Sequence, residues 1–194
     1  MNRDITKSAT DVTKGSIFAV ASEKGVKPED VLTDADVVVM LDLSSSMTTS
    51  QFDGRSRFDK AKEALADIQK AFPGRCILIT FADKANMELG GLPGHPSGMT
   101  NVYAALEVAK QFDGLDTKFY LISDGEPNCT SKEEIFALAN EFTDPINCIF
   151  IGEDHDLSGM KFMKELAMLT GGKDSGKVEP HLLGQTIKLL ITGE

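Results

Sequence analysis

The chain has 194 residues, of which 41% are hydrophobic and 26% charged, and its formal net charge is −10. These values are ordinary for a globular protein and predict one compact domain. The acidic balance argues against binding to nucleic acid, because phosphate contacts need clustered Lys and Arg side chains.

The pattern of apolar residues and cysteines indicates the compartment. The longest apolar runs have only the length of a strand, whereas a membrane-spanning helix needs about 20 residues, so we expect no membrane partner. The N-terminal sequence lacks the apolar core of a signal peptide. The three cysteines show no metal-type spacing, and Cys76 and Cys148 fall in predicted buried strands. Free thiols suit a reducing environment, so we predict a cytoplasmic protein.

Residues 1–34 are predicted to form an N-terminal helical arm that precedes a main domain at 35–194. A helix within 10–25 would bury Ile17, Phe18 and Ala21, although Gly15 interrupts it. Pro28 then begins a short helical turn, since proline fits the first position of a helix. A disordered lead-in or a partner-docking arm is the alternative.

From residue 36 onward, strands and helices alternate. Short apolar runs predict buried strands at 36–41, 76–81, 118–123 and 146–151, with a short edge strand at 85–89 and a last one at 178–179. Amphipathic or capped segments predict helices at 58–72, 102–109, 131–142, 159–170 and 182–191. The alternation predicts a three-layer αβα fold with a mainly parallel, Rossmann-like doubly wound sheet and one short antiparallel edge strand.

Oxygen-bearing side chains follow these strands at one edge of the predicted sheet. The sequence DLSSSM supplies Asp42, Ser44 and Ser46 after the first strand, Thr100 precedes a helix, and Asp124 follows the run KFYLIS. Ligands of open α/β sheets bind beyond the carboxyl ends of the strands. Carboxylates and hydroxyls are hard ligands, so the five residues predict a site for Mg²⁺, or for Mn²⁺ or Ca²⁺.

The chain from about residue 35 to 191 resembles the von Willebrand factor type A domains. Their metal-ion-dependent adhesion site consists of D-x-S-x-S, a threonine and an aspartate on three loops, and RFDKAKEAL and LISDGEP also look like that family. The resemblance implies that Ser44 and Ser46 bind the ion directly, while Thr100 and Asp124 alternate between direct and water-mediated contact. It implies that the open position takes an Asp or Glu carboxylate of a partner, and that the last helix responds to binding.

We therefore expect a binding module and not an enzyme, acting in an intracellular assembly such as those built around ATPases. The alternative is a Mg²⁺-dependent phosphatase or phosphotransferase of the haloacid dehalogenase type, in which an aspartate also follows the first strand. Those enzymes need a second aspartate two positions later, where this chain has Ser44. A structural domain with a vestigial metal site is a third hypothesis.

Further acidic residues crowd the same edge in the sequence. We expect them to form a solvated rim, and the alternative is a second cation site or a steering field. They are Glu126, Glu153, Asp154 and Asp156.

Overall fold

A six-stranded sheet forms the centre of the computed structural model, which describes residues 12–50, 54–91, 93–153, 156–178 and 182–192. The order across the sheet is β3-β2-β1-β4-β5-β6. All neighbouring strands are parallel except β3, which is antiparallel to β2. The strands are β1 (Val37–Asp42), β2 (Cys76–Phe81), β3 (Ala85–Met87), β4 (Lys118–Ser123), β5 (Ile146–Phe150) and β6 (Asp174–Lys177).

Helices cover both faces of this sheet. They are α1 (Ile17–Lys24), α2 (Pro28–Leu32), α3 (Arg57–Ala71), α4 (Val102–Ala109), α5 (Lys132–Ala139), α6 (Leu157–Thr170) and α7 (Leu183–Thr192). Alternate residues of β1 enter two cores, because side chains on a strand point to opposite faces. Val38 and Met40 pack with side chains of α4, α5 and α6, whereas Val39 packs with side chains of α3 and with Ile187 of α7. The prediction of a three-layer αβα fold is confirmed.

Local signals explain where the helices begin. Ser56 and Ser131 each accept a backbone hydrogen bond from the third residue of α3 and α5, and the acidic side chains of Asp59 and Glu134 bond back to the capping backbone. Such capping boxes satisfy two otherwise unpaired donors at a helix start. Helix α3 therefore begins directly after the loop that follows β1, which is the position that matters for the site described below.

Helices α1 and α2 form a small third core from Ile17, Val20, Ala21 and Val31. Backbone hydrogen bonds join this part to the segments that flank β2 and β3, including Thr13 N–H to the Gly90 carbonyl at 3.0 Å. Residues 12–32 thus pack against the rest of the protein, and residues 1–11 of the predicted arm lie outside the described residues. The division into an arm and a domain stays a prediction.

The last strand is not where the sequence indicated. We predicted it at 178–179, but β6 spans Asp174–Lys177, and Val178 only donates a backbone hydrogen bond to the Phe150 carbonyl. Strand β6 has the sequence DSGK and is half-exposed, so it is held by backbone pairing with β5 and not by an apolar run. Within the described ranges, no helix has both the length and the apolar character needed to cross a bilayer.

Candidate metal centre

The topology brings two of the predicted ligand-bearing loops side by side. Strands β1 and β4 are parallel neighbours, and Leu41 lies opposite Ile122. Asp42 is the last residue of β1 and Asp124 follows the last residue of β4, so both aspartates lie at the same carboxyl edge of the sheet. Both side chains are buried. The structure therefore places the two predicted carboxylate ligands in adjacent loops.

A chain of hydrogen bonds connects four of the five predicted ligands. The backbone N–H of Ser44 donates to Oδ1 of Asp42 at 2.7 Å, which holds the carboxylate under the serine loop. The hydroxyls of Ser44 and Ser46 lie 2.9 Å apart. The Ser46 hydroxyl donates to Oδ1 of Asp124 at 2.7 Å. The two loops thus share one continuous polar network, in which the hydroxyl proton of Ser46 is directed to Asp124.

Thr100 lies in a third loop that is tied to the first. The Gly98 carbonyl accepts bonds from both the backbone N–H and the hydroxyl of Ser45, each at 3.1 Å. Thr100 is buried, and its backbone N–H donates to Oδ1 of Asn128 at 2.8 Å. In the described part of the chain, no hydrogen bond joins the Thr100 side chain to the other four predicted ligands. The structure thus fixes the Thr100 loop beside the serine loop.

Asp42 is the most strongly perturbed carboxylate at this edge. Burial raises its pKa to about 6 from 3.8, although hydrogen bonds from Ser123 and Ser44 act in the opposite direction. The Ser123 hydroxyl donates to Oδ2 at 2.6 Å, so the hydrogen-bond donors from Ser44 and Ser123 to this carboxylate are neutral groups. A buried ionised carboxylate is costly unless a positive charge compensates it. The surroundings of Asp42 therefore fit a bound cation.

Arg57, which lies just outside the predicted helix at 58–72, is a central residue of this edge of the sheet. Its guanidinium is buried and donates to Oδ2 of Asp124 at 2.7 Å and to Oε1 of Glu153 at 2.5 Å. Sequence reasoning also missed Ser123 and Asn128, which hold Asp42 and Thr100. The capping-box pattern of Ser56 and Asp59 is a sequence signal that could have placed Arg57 in the first turn of α3, but only the folded loops show which carboxylates it meets.

The other acidic side chains of the rim have separate partners. Glu126 pairs with Lys132 at 2.5 Å, and Asp156 accepts the backbone N–H of Gly159 at the start of α6. Asp154 lies outside the described residues. Among the residues that the structure describes, no three or more Asp, Glu, His or Cys side chains converge to hold a metal ion. The candidate centre thus depends on hydroxyl ligands as well as carboxylates.

Comparison with known proteins identifies the fold. No protein-family model and no curated protein matches the chain. An aerotolerance-related membrane protein from Bacteroides fragilis NCTC 9343, solved with multiple mutations to serines, matches over 82% of this chain and 100% of its own, with 18% identity and a TM-score of 0.58. BatB from Bacteroides thetaiotaomicron, described as a conserved hypothetical protein, matches over 81% and 99%, with 18% identity and a TM-score of 0.56.

A third solved structure, proximal thread matrix protein 1 from the mussel byssus, matches over 81% of this chain and 47% of its own, with 20% identity and a TM-score of 0.58. With the sheet order and the helices on both faces, these similarities show that the chain has a von Willebrand factor type A-like fold. At such low identity they show the fold and not an activity.

Proposed function

We propose that the protein is a divalent-cation-dependent binding module that captures an Asp or Glu carboxylate of a partner protein through a metal-ion-dependent adhesion site. The ion would be Mg²⁺, or Mn²⁺ or Ca²⁺. The observation that carries the proposal is the hydrogen-bond network from Asp42 to Asp124 at the carboxyl edge of the sheet. The proposed ligands are Asp42, Ser44, Ser46, Thr100 and Asp124.

The charge of the site supports a divalent ion. Asp42, Asp124 and Glu153 carry three negative charges and Arg57 one positive charge, which leaves a net charge of −2 before any ion binds. Hard oxygen ligands with this charge suit Mg²⁺ or Ca²⁺ better than a thiophilic metal. The protein's own groups would hold and orient the ion, because Ser44 N–H fixes Asp42 and the Ser46 proton is committed to Asp124.

The proposed ligand set also explains why a carboxylate is the expected partner group. Three of the five ligands are neutral hydroxyls, so an ion bound to them keeps more of its positive charge than it would among carboxylates alone. A bound ion of this kind supplies electrostatic attraction for an incoming anionic oxygen. The residues of the chain would position the ion and partly remove its water shell, since both aspartates are buried.

We do not propose a catalytic role. In the phosphatase alternative, a second aspartate would be needed two positions after Asp42. Ser44 occupies that position, and its backbone and hydroxyl are engaged with Asp42 and Ser46. We propose a cytoplasmic setting, because buried free thiols at Cys76 and Cys148 suit a reducing compartment. The resemblance to the von Willebrand factor type A domains is the reason for proposing a multiprotein assembly, including assemblies that contain an ATPase.

Titration of Mg²⁺ and Mn²⁺ into the protein, followed by calorimetry, tests the proposed ion site. We expect binding to the wild type, loss of binding in Asp42→Ala and Thr100→Ala, and recovery in Thr100→Ser, which restores the hydroxyl. Asp67→Asn on the exposed face of α3 is a matched control and should bind like the wild type. Circular dichroism should show that all variants remain folded.

Capture of partners from a lysate of the native host tests the second half of the proposal. Capture should require Mg²⁺ and should fail for Asp42→Ala. Undiminished capture in excess chelator would exclude a metal-dependent adhesion mechanism, even if the protein binds Mg²⁺.

A further inference from the structure

Arg57 is a buried cation within bonding distance of two carboxylates. Its residue exposure is 5%, whereas the Glu153 side chain that it contacts is 46% exposed. The side chain of Asp124 is completely buried. One end of the guanidinium therefore neutralises a carboxylate inside the site, and the other end contacts a half-exposed carboxylate.

The backbone fixes where this guanidinium begins. The N–H of Arg57 donates to the Thr49 carbonyl at 3.2 Å, and Ser50 and Ser56 form an isolated antiparallel bridge that closes the loop after the serines. Arg57 is also the first residue of α3, where the positive end of the helix dipole disfavours a cation. Its buried position is therefore explained by Asp124 and Glu153 and not by helix formation.

Arg57 connects the loops after three strands. Its backbone is bonded to the loop after β1, and its side chain bonds to Asp124 after β4 and to Glu153 after β5. Its Nε is buried and bonds to none of the described residues, so the guanidinium is held by its two terminal nitrogens. A forked, permanently charged group can bridge two carboxylates in this way, whereas the single ammonium of lysine cannot reproduce the geometry.

Both oxygens of Asp124 are engaged in this arrangement. Oδ1 accepts the Ser46 hydroxyl and Oδ2 accepts Arg57, each at 2.7 Å. Direct binding of Asp124 to an ion would have to displace one of these partners or share an oxygen with it. Displacing Arg57 would leave a buried guanidinium with a single carboxylate partner, which is unfavourable.

We propose that Arg57 is the residue that sets the cation affinity of the site, because it restricts the ligand Asp124 to water-mediated contact with the ion. This inference rests on the function proposed above. With Arg57 in place, the ion is held more weakly but retains its attraction for a partner's carboxylate. Without Arg57, the net charge of the site becomes −3, and Oδ2 of Asp124 is free to bind the ion. The ion is then held more tightly and attracts a further anion less.

Titration of Mg²⁺ into wild type, Arg57→Gln and Arg57→Lys tests this inference. We expect Arg57→Gln to bind Mg²⁺ about tenfold more tightly or better, a difference of about 1.4 kcal/mol. Arg57→Lys keeps the charge but not the fork that bridges the two carboxylates, so its affinity should lie between those of the wild type and Arg57→Gln. Arg75→Gln is the matched control, because Arg75 also pairs with an aspartate, Asp36, but at the amino end of β1. The affinity of this variant for Mg²⁺ should equal that of the wild type.

Water-proton relaxation of Mn²⁺-loaded protein provides a second measurement that a purely structural role would not alter. If Asp124 binds the ion directly in Arg57→Gln, it replaces water, so bound Mn²⁺ should relax water protons less in this variant than in the wild type. Glu153→Gln changes a half-exposed side chain and removes a negative charge, so it should weaken Mg²⁺ binding even if Arg57→Gln fails to fold.

The outcomes separate the inference from the proposed function. Wild-type binding of Mg²⁺ with equal or weaker binding by a folded Arg57→Gln would overturn the role of Arg57 and leave the proposed ion site intact. Unchanged or tighter binding by Glu153→Gln would overturn it as well. Failure of the wild type to bind either Mg²⁺ or Mn²⁺ would overturn both.

Discussion

The buried carboxylate of Asp42 allows a sharp test of the electrostatics of the site. Its pKa is raised by burial from 3.8 to about 6, against the opposing effect of the Ser123 and Ser44 hydrogen bonds. The folded protein therefore holds this proton more tightly than the unfolded chain does. The free energy of unfolding in chelator should fall as the pH rises between these two values and remain lower above them. The difference between 3.8 and about 6 corresponds to about 3 kcal/mol.

Asp42→Asn removes the charge while nearly preserving the shape. The amide oxygen of the new side chain can still accept the Ser44 N–H. Its NH₂ group can donate to the Ser123 hydroxyl, which can then donate to the Gly125 carbonyl at 3.4 Å. In chelator at neutral pH, we expect this variant to be more stable than the wild type by about 1–3 kcal/mol, because no ionised group is buried there.

Urea denaturation followed by circular dichroism measures this difference. In chelator, the wild type should lose stability as the pH rises from 3.8 to about 6, and the curve of Asp42→Asn should not show that loss. Added Mg²⁺ should stabilise the wild type and leave the variant unchanged, since only the wild type keeps the ligand. Asp67→Asn, an exposed change on α3, controls for a general loss of negative charge.

A less stable Asp42→Asn in chelator at neutral pH would refute this reasoning. It would mean that the existing hydrogen bonds stabilise the ionised carboxylate by more than burial destabilises it. The wild-type pKa would then lie below 3.8 and not near 6.

Two further predictions concern the third loop and the thiols. Gly98→Ala should lower the free energy of unfolding by about 1–3 kcal/mol, because Gly98 has φ +87°. It should also weaken Mg²⁺ binding, because the same loop carries Thr100. Equal affinity in calorimetry would show that this loop does not position a ligand. A maleimide reagent should label only the exposed Cys129 in the native protein, since Cys76 and Cys148 are buried and burial raises the pKa of both thiols. Mass spectrometry would count the labels, and modification of more than one thiol before unfolding would contradict the buried placement.

Much of the fold could be predicted because the buried strands are visible in the sequence. The apolar runs of β1, β2, β4 and β5 are buried on both faces, which is the pattern that a parallel sheet between helices produces. The antiparallel edge strand β3 was also placed correctly, although it ends at Met87 and not at residue 89. Side chains that follow such strands could be assigned to one edge by topology alone.

The position of β6 could not be predicted, because its residues satisfy no hydrophobic pattern. Asp174–Lys177 lies at the edge of the sheet, where one neighbouring strand and partial exposure are enough to hold a polar segment. A pattern-based prediction looks for apolar residues and therefore chose the adjacent Val178, which is buried beside the sheet.

The role of Arg57 was missed for a different reason. Its partners Asp124 and Glu153 are 67 and 96 residues away in the sequence, so the ion pairs depend on how three loops meet in space. The ligand set of Asp42, Ser44, Ser46, Thr100 and Asp124 came from a motif and stays a prediction until an ion is measured. The structure adds the hydrogen-bonded connection of four of them.

The two outer strands of the sheet have a consequence for how the molecule associates. Strand β3 has three residues and β6 has four, and the DSGK sequence of β6 carries both signs of charge. Such short borders present few unpaired backbone groups to a strand from another molecule, which discourages edge-to-edge association of sheets. The strand-end loops at the carboxyl edge, where we propose that a partner binds, lie apart from these lateral borders.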